Sequence, residues 1–172
     1  EQAAQLGQAD LDAAYDQLYL SFDPENGGFG SAPKFPSSHK LLFLLRYYIK
    51  SKDKNAWIMI EKTLNKMSTG GIFDHLGGGF HRYSTDSEWI VPHFEKMLYD
   101  QALMTLALLE AFKLSGELKF KKTAQETLDY VLRELSSEEG GFFSAEDADS
   151  EGEEGKFYLW SIMSLNKFYP VN

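Results

Sequence analysis

Apolar side chains recur at helical spacing in five stretches of the chain. Leu11, Ala14, Tyr15, Leu18, Tyr19 and Phe22 mark a first helix over residues 10 to 22, with Asp10 as its N-cap. Asp23-Pro24-Glu25-Asn26-Gly27-Gly28 ends it. A second helix, capped by Ser37 or Ser38, runs to about Ser51 through the densest apolar run, Leu41 to Leu45. A third starts near Asp53, carries Trp57, Ile60, Leu64 and Met67 on one stripe, and stops at Gly70-Gly71. A glycine-rich loop from Ile72 to Val91 then leads to Pro92, a residue suited to the first turn of a fourth helix. From Phe94 to Leu114 that helix is apolar nearly all round, which predicts burial on several sides. Its opening is polar instead, with His93, Glu95, Lys96, Asp100 and Gln101, and this pattern predicts a pocket at that end. The fifth helix spans roughly Glu117 to Leu135. Lys156 to Trp160 forms a short extended piece, and a last helical turn falls around Ile162 to Phe168.

One phrase punctuates these helices. Gly27-Gly28-Phe29, Gly78-Gly79-Phe80 and Gly140-Gly141-Phe142 each follow a helical stretch. The glycine pair permits the left-handed backbone of a helix exit, and the phenylalanine then pins the loop into the core. A recurring unit of this kind fixes architecture before any single residue is interpreted. Helices in pairs with the same loop at one end describe stacked αα-hairpins, an all-α fold. A surrounded helix alternating with half-buried ones is what a double-layered α/α toroid requires. Closing such a ring takes roughly twice the helices found here. Residues 1–172 therefore form a single domain that is part of a toroid, a fragment of a longer protein.

Composition narrows the chemistry. There is no cysteine, so the chain holds no disulfide, thiol nucleophile or cysteine metal site. No secretion signal is visible and no apolar run is long enough to cross a bilayer, which fits a cytoplasmic protein. The net charge of -9 is local. Of 26 acids, eight lie between Glu138 and Gly155 with no Lys or Arg among them, leaving 18 against 17 bases elsewhere. With no basic stripe to neutralise phosphates, nucleic acid is not an expected partner, and neither is a membrane.

Three runs carry a family resemblance: GGFGSAPKFP (Gly27 to Pro36), GGIFDHLGGGFHRYSTDSEWIVPHFEKMLYDQA (Gly70 to Ala102) and GGFFSAEDADSEGEEGKFYLW (Gly140 to Trp160). Together they resemble the spermatogenesis-associated, thioredoxin-domain-containing (YyaL-like) proteins over nearly the whole chain. The resemblance implies an upstream thioredoxin-like domain, absent from this sequence. After it would come an (α/α)6 toroid similar to the N-acylglucosamine 2-epimerase and six-hairpin glycosidase folds, of which this chain is the first part. Carbohydrate chemistry follows from that fold alone.

The candidate site residues sit in these runs. His81 and Arg82 follow the second glycine phrase and offer a proton-transfer group and an anion- or hydroxyl-binding fork. The alternative is that Arg82 ties the loop to Asp86 or Glu88 while His81 is satisfied by backbone. His93, Lys96 and Asp100, at i, i+3 and i+7, share a face if helical, with Glu95 beside them. They can supply acid, base and substrate anchor, or stabilise a helix start. His81, His93 and Asp100 are the candidates for catalysis. Arg82, Lys96, Glu95, Trp89, Asp147 and Asp149 are the candidates for binding a sugar-like molecule. Asp147, Asp149 and Glu151 also suggest a calcium loop, but Tyr158 stands where the bidentate glutamate belongs. No metal and no cofactor is expected. An incomplete ring leaves apolar faces uncovered, which predicts a homo-oligomer.

Overall fold

The computed structural model describes residues 7 to 163 and 165. Five helices run through them: α1 (Gln8–Ser21), α2 (Ser38–Ser51), α3 (Lys54–Thr69), α4 (Leu98–Ser115) and α5 (Leu118–Glu134). Three two-residue antiparallel pairs lie in the loops. β1 (Tyr83–Ser84) pairs with β2 (Pro92–His93), β3 (Lys96–Met97) with β4 (Ala145–Glu146), and β5 (Asp149–Ser150) with β6 (Glu153–Glu154). The fold is all-α, as the periodicity predicts.

α2 packs against α1, α3 and α4, and α4 packs against α2, α3 and α5, so α2 and α4 form an inner layer and the other helices an outer one. The core lies between the layers. Leu41, Leu44 and Leu45 of α2, Met59, Ile60 and Leu64 of α3, and Met104, Leu108 and Ala111 of α4 are all sealed from water. α4 is covered on these sides but leaves Leu106 half exposed. Short turns join α2 to α3 and α4 to α5. The long loops entering α2 and α4, and the one leaving α5, gather at the opposite end. There Lys34 and Ser84 exchange backbone hydrogen bonds of 2.9 and 2.8 Å, and the Leu98 amide donates to the Ser144 carbonyl at 2.9 Å.

The glycine phrase is a repeated structure with a buried lysine under it. In the first loop the Asp23 amide donates to the Gly28 carbonyl, the Gly27 amide to the Asp23 carbonyl, and Lys34 Nζ reaches Asp23 Oδ2 at 2.5 Å and the Gly27 carbonyl at 2.9 Å. In the second, the Asp74 amide donates to Gly79, the Gly78 amide to Asp74, and Lys96 Nζ reaches Asp74 Oδ2 at 2.8 Å and the Gly78 carbonyl at 2.9 Å. Both lysines are about 1% exposed. Both second glycines have positive φ, and a side chain there would collide with Trp89 at Gly28 and Tyr130 at Gly79, each 2.5 Å away. The third copy keeps the backbone pattern, with Ser137 donating to Gly141 and Gly140 to Ser137. Serine replaces the aspartate, and among the described residues no lysine bonds the Gly140 carbonyl. Phe80 is fully buried and Phe29 half-buried, but Phe142 is 55% exposed, so the third phenylalanine does not pin its loop.

Three local expectations need correction. α1 starts at Gln8, because Asp10 reaches back from the first turn to the Gly7 amide at 2.7 Å instead of capping the helix itself. α4 starts at Leu98. Residues 92–97 are extended, held by pairing with β1 and β4, so Pro92 is not in a helix and His93, Lys96 and Asp100 do not share a helical face. Lys156 to Trp160 is a turn closed by the Tyr158 and Leu159 amides on the Gly155 carbonyl. The final turn expected around Ile162 to Phe168 lies in part outside the described residues.

Candidate functional site

The inner helices open side by side at the long-loop end. Between their N-termini lies a hollow of about 440 Å³, lined by Phe35, Pro36, Ser37, Ser38, His39 and Lys40 on one side and by Tyr99, Asp100 and Leu103 on the other. Tyr99 and Phe35 are each about half exposed there. Phe35 leans on Tyr83, with centroids 4.9 Å apart, and Tyr83 stacks on His93 at 5.0 Å.

Asp100 is the only sequence-selected residue on this wall. Burial pushes its carboxyl up to about 6, the Arg82 guanidinium pulls it back, and Glu95 adds to the rise. It has no hydrogen-bond or ion-pair partner among the described residues. A carboxyl set near neutrality at the edge of a hollow can both give and take a proton. Arg82 is engaged by Glu95 at 2.7 Å, not by Asp86 or Glu88, and its Nε is buried without a partner. His93 continues the chain of contacts, with Nε2 3.7 Å from Glu95 and Nδ1 2.6 Å from Glu154 in the acidic hairpin. Arg82, Glu95 and His93 thus form one group behind Asp100.

His81 and Lys96 lie elsewhere, beneath the second loop. His81 is 2% exposed, faces the Phe94 carbonyl through Nδ1 at 3.0 Å, and meets Phe94 and Tyr158 edge-on. Burial, aided by the Lys96 charge, drives its imidazole down to about 4, so it is neutral at pH 7. Lys96 sits 4.3 Å from the Tyr130 ring centroid. Its bond to Asp74 holds that carboxyl below the ordinary range despite burial, while burial pushes the Lys96 ammonium itself down against the pull of Asp74. Tyr130 and Tyr158 both donate to Glu146, at 2.6 and 3.2 Å. Trp89 is fully buried, donating its indole N–H to the Asn26 carbonyl at 2.9 Å, and does not line the hollow. Asp147 and Asp149 are exposed in the acidic loop, where Asp147 Oδ1 accepts the Asp149 amide at 3.0 Å. Among the described residues no group of three or more His, Asp or Glu is placed to hold a metal ion.

Sequence reasoning missed the α2 wall. Ser37 and Ser38 suggested only a cap, and nothing local to Phe35, His39, Lys40 or Tyr99 said that two helix starts meet. A second hollow of about 300 Å³ lies between α3 and α5, lined by Asn65, Ser68, Lys119 and Lys122 among others. None of the site residues expected from the sequence borders it.

Two inner helices with their starts around a hollow, wrapped by outer helices, define a part of an (α/α)6 toroid of the sugar-epimerase kind. Cellobiose 2-epimerase from Spirochaeta thermophila shares this fold with a TM-score of 0.70 and 19% identity, over 81% of this chain and 39% of its own. Cellobiose 2-epimerase from Bacillus thermoamylovorans gives 0.69 and 15%, over 88% and 45%. No protein-family profile matches the chain. Human spermatogenesis-associated protein 20 is 46% identical over 166 residues, which is 91% of this chain and 21% of the relative. The chain belongs to the family of these spermatogenesis-associated proteins and spans about one fifth of their length. No described helix is long and apolar enough to cross a membrane.

Proposed function

We propose that this chain supplies part of the ligand-binding wall of a carbohydrate-active toroid, with the hollow between α2 and α4 as the site. The carrying observation is Asp100: an unpaired carboxyl raised to about 6 beside two half-exposed aromatic rings. Tyr99 and Phe35 offer flat apolar faces for a sugar ring, and Asp100 offers a proton-transfer group. The structural likeness to sugar epimerases supports the reading. Epimerisation removes an acidic C–H proton from one face and returns one to the other, so it needs two proton-transfer groups. Asp100 is one. His93 and Arg82 adjust its surroundings, while His81 and Lys96 brace the loop beneath. The second group would come from later hairpins, so the isolated chain binds sugar without turning it over.

A panel of mono- and disaccharides tests this by thermal shift. At least one neutral sugar raises the melting temperature of the native chain and not of Tyr99→Ala. If no sugar shifts the melting point, the reading fails. Turnover by the chain alone would remove the need for a second group.

A second reading is an interaction module. Leu106 on α4 and Leu128 and Leu132 on α5 are 50%, 43% and 64% exposed, which favours association with another helical surface. Light scattering decides it: self-association follows from this reading, and a clean 19.6 kDa monomer at high concentration contradicts it.

A further inference from the structure

We propose that the ligand of this hollow carries an anionic group, a phosphate or a carboxylate, seated at the N-terminus of α2. The inference rests on the sugar reading and narrows its substrate class.

α2 is a 14-residue helix with no acid in its first turn. The other four helices each place a carboxylate at their start: Asp10, Asp53, Asp100 and Glu117. Ser37, at the cap position of α2, has a left-handed backbone and its side chain makes no capping bond. The Ser38 and His39 amides donate to no acceptor among the described residues, so the positive end of the helix is uncompensated. That geometry favours an anion.

Ser38 is the independent observation. It is 3% exposed, lines the hollow, and its hydroxyl is buried with no hydrogen-bond partner. A buried hydroxyl without a partner carries a free-energy cost that a ligand oxygen would remove. Lys40 borders the same hollow. It makes no ion pair among the described residues, and its Nζ rests 5.3 Å from the Phe29 ring centroid. Two free amides and an unpaired hydroxyl thus lie on the α2 wall with Lys40 bordering the same hollow, and one acid, Asp100, stands on the α4 wall. A sugar bridging the two would place its anion at Ser38 and its ring against Tyr99, near Asp100.

The test is an amide-resolved NMR titration of the chain with glucose, glucose 6-phosphate, glucuronate and inorganic phosphate, repeated on Ser38→Ala and Lys40→Gln. The proposal expects the Ser38 and His39 amides to shift with at least one anionic sugar, at an affinity about tenfold above that for glucose. Both variants, checked for native spectra, should erase that advantage. Glucose 6-phosphate and glucuronate separate the phosphate from the carboxylate. Equal affinity for glucose and both anionic sugars overturns the anion site and leaves the sugar reading standing. Inorganic phosphate matching glucose 6-phosphate, with glucose unbound, supports the anion site and removes the sugar reading. No binding by any of the four overturns both.

Discussion

Asp74 and Asp100 are both partly buried aspartates at the long-loop end, and they behave in opposite ways. Asp74 accepts Lys96 Nζ and the Leu76 and Gly77 amides, and its carboxyl is held low. Asp100 accepts nothing, and its carboxyl is pushed up to about 6. Burial raises both; the donors and the neighbouring charges differ. A carboxylate with its donors in place is a brace, and one without them is poised for exchange with a ligand. The same division separates the two lysines on the loops from Lys40 on α2.

The largest effect should come from breaking the brace. Lys96→Ala strips a sealed cation from Asp74 and the Gly78 carbonyl, and it should cost about 3–5 kcal/mol in denaturant unfolding. Lys34→Ala, at the matching place in the first loop, should lose a similar amount. A loss below about 1 kcal/mol in both would mean that the loops hold without these pairs.

Acid should strike the braced region next. His81 is lowered from 6.5 to about 4, so its contribution is present above pH 6.5 and is lost as pH falls toward 4. The unfolded chain binds the proton more readily across that window, and stability falls there by about 3 kcal/mol. Asp23, held near 2 by Lys34 and the Asn26 and Glu25 amides, adds a further loss between about pH 4 and 2. Urea melts at stepped pH, compared between the native chain and His81→Gln, check the first window: the variant should show a flatter profile from 6.5 to 4. Parallel profiles would place the acid sensitivity elsewhere.

Much of this fold was legible in the residues because its signals are local. Periodicity located all five helices, α3 starts beside Asp53 as expected, and the glycine phrase marked the loops that pack together. What failed depends on distant partners. Residues 92–97 have helical composition but are extended, because Lys96 pairs with Glu146 and His93 with Tyr83. A charged run before a helix looks the same whether it opens a pocket or braces a loop. Lys34 lies in a plain loop by sequence, and only the fold shows that it matches Lys96. Of the proposed hollow only Asp100 was legible, and its α2 wall needed two helix starts brought together.

The smallest perturbation probes the account most directly. A raised carboxyl favours the folded state below its unfolded pKa and loses that contribution as pH rises through about 6, so Asp100→Asn should stabilise the chain above that pH by up to about 2 kcal/mol. The decisive measurement is the Asp100 side-chain carbon signal followed by NMR from pH 3 to 8. A midpoint near 6 is expected, moving when Arg82 is replaced by glutamine. A midpoint below 4, like that of an ordinary exposed aspartate, would contradict it.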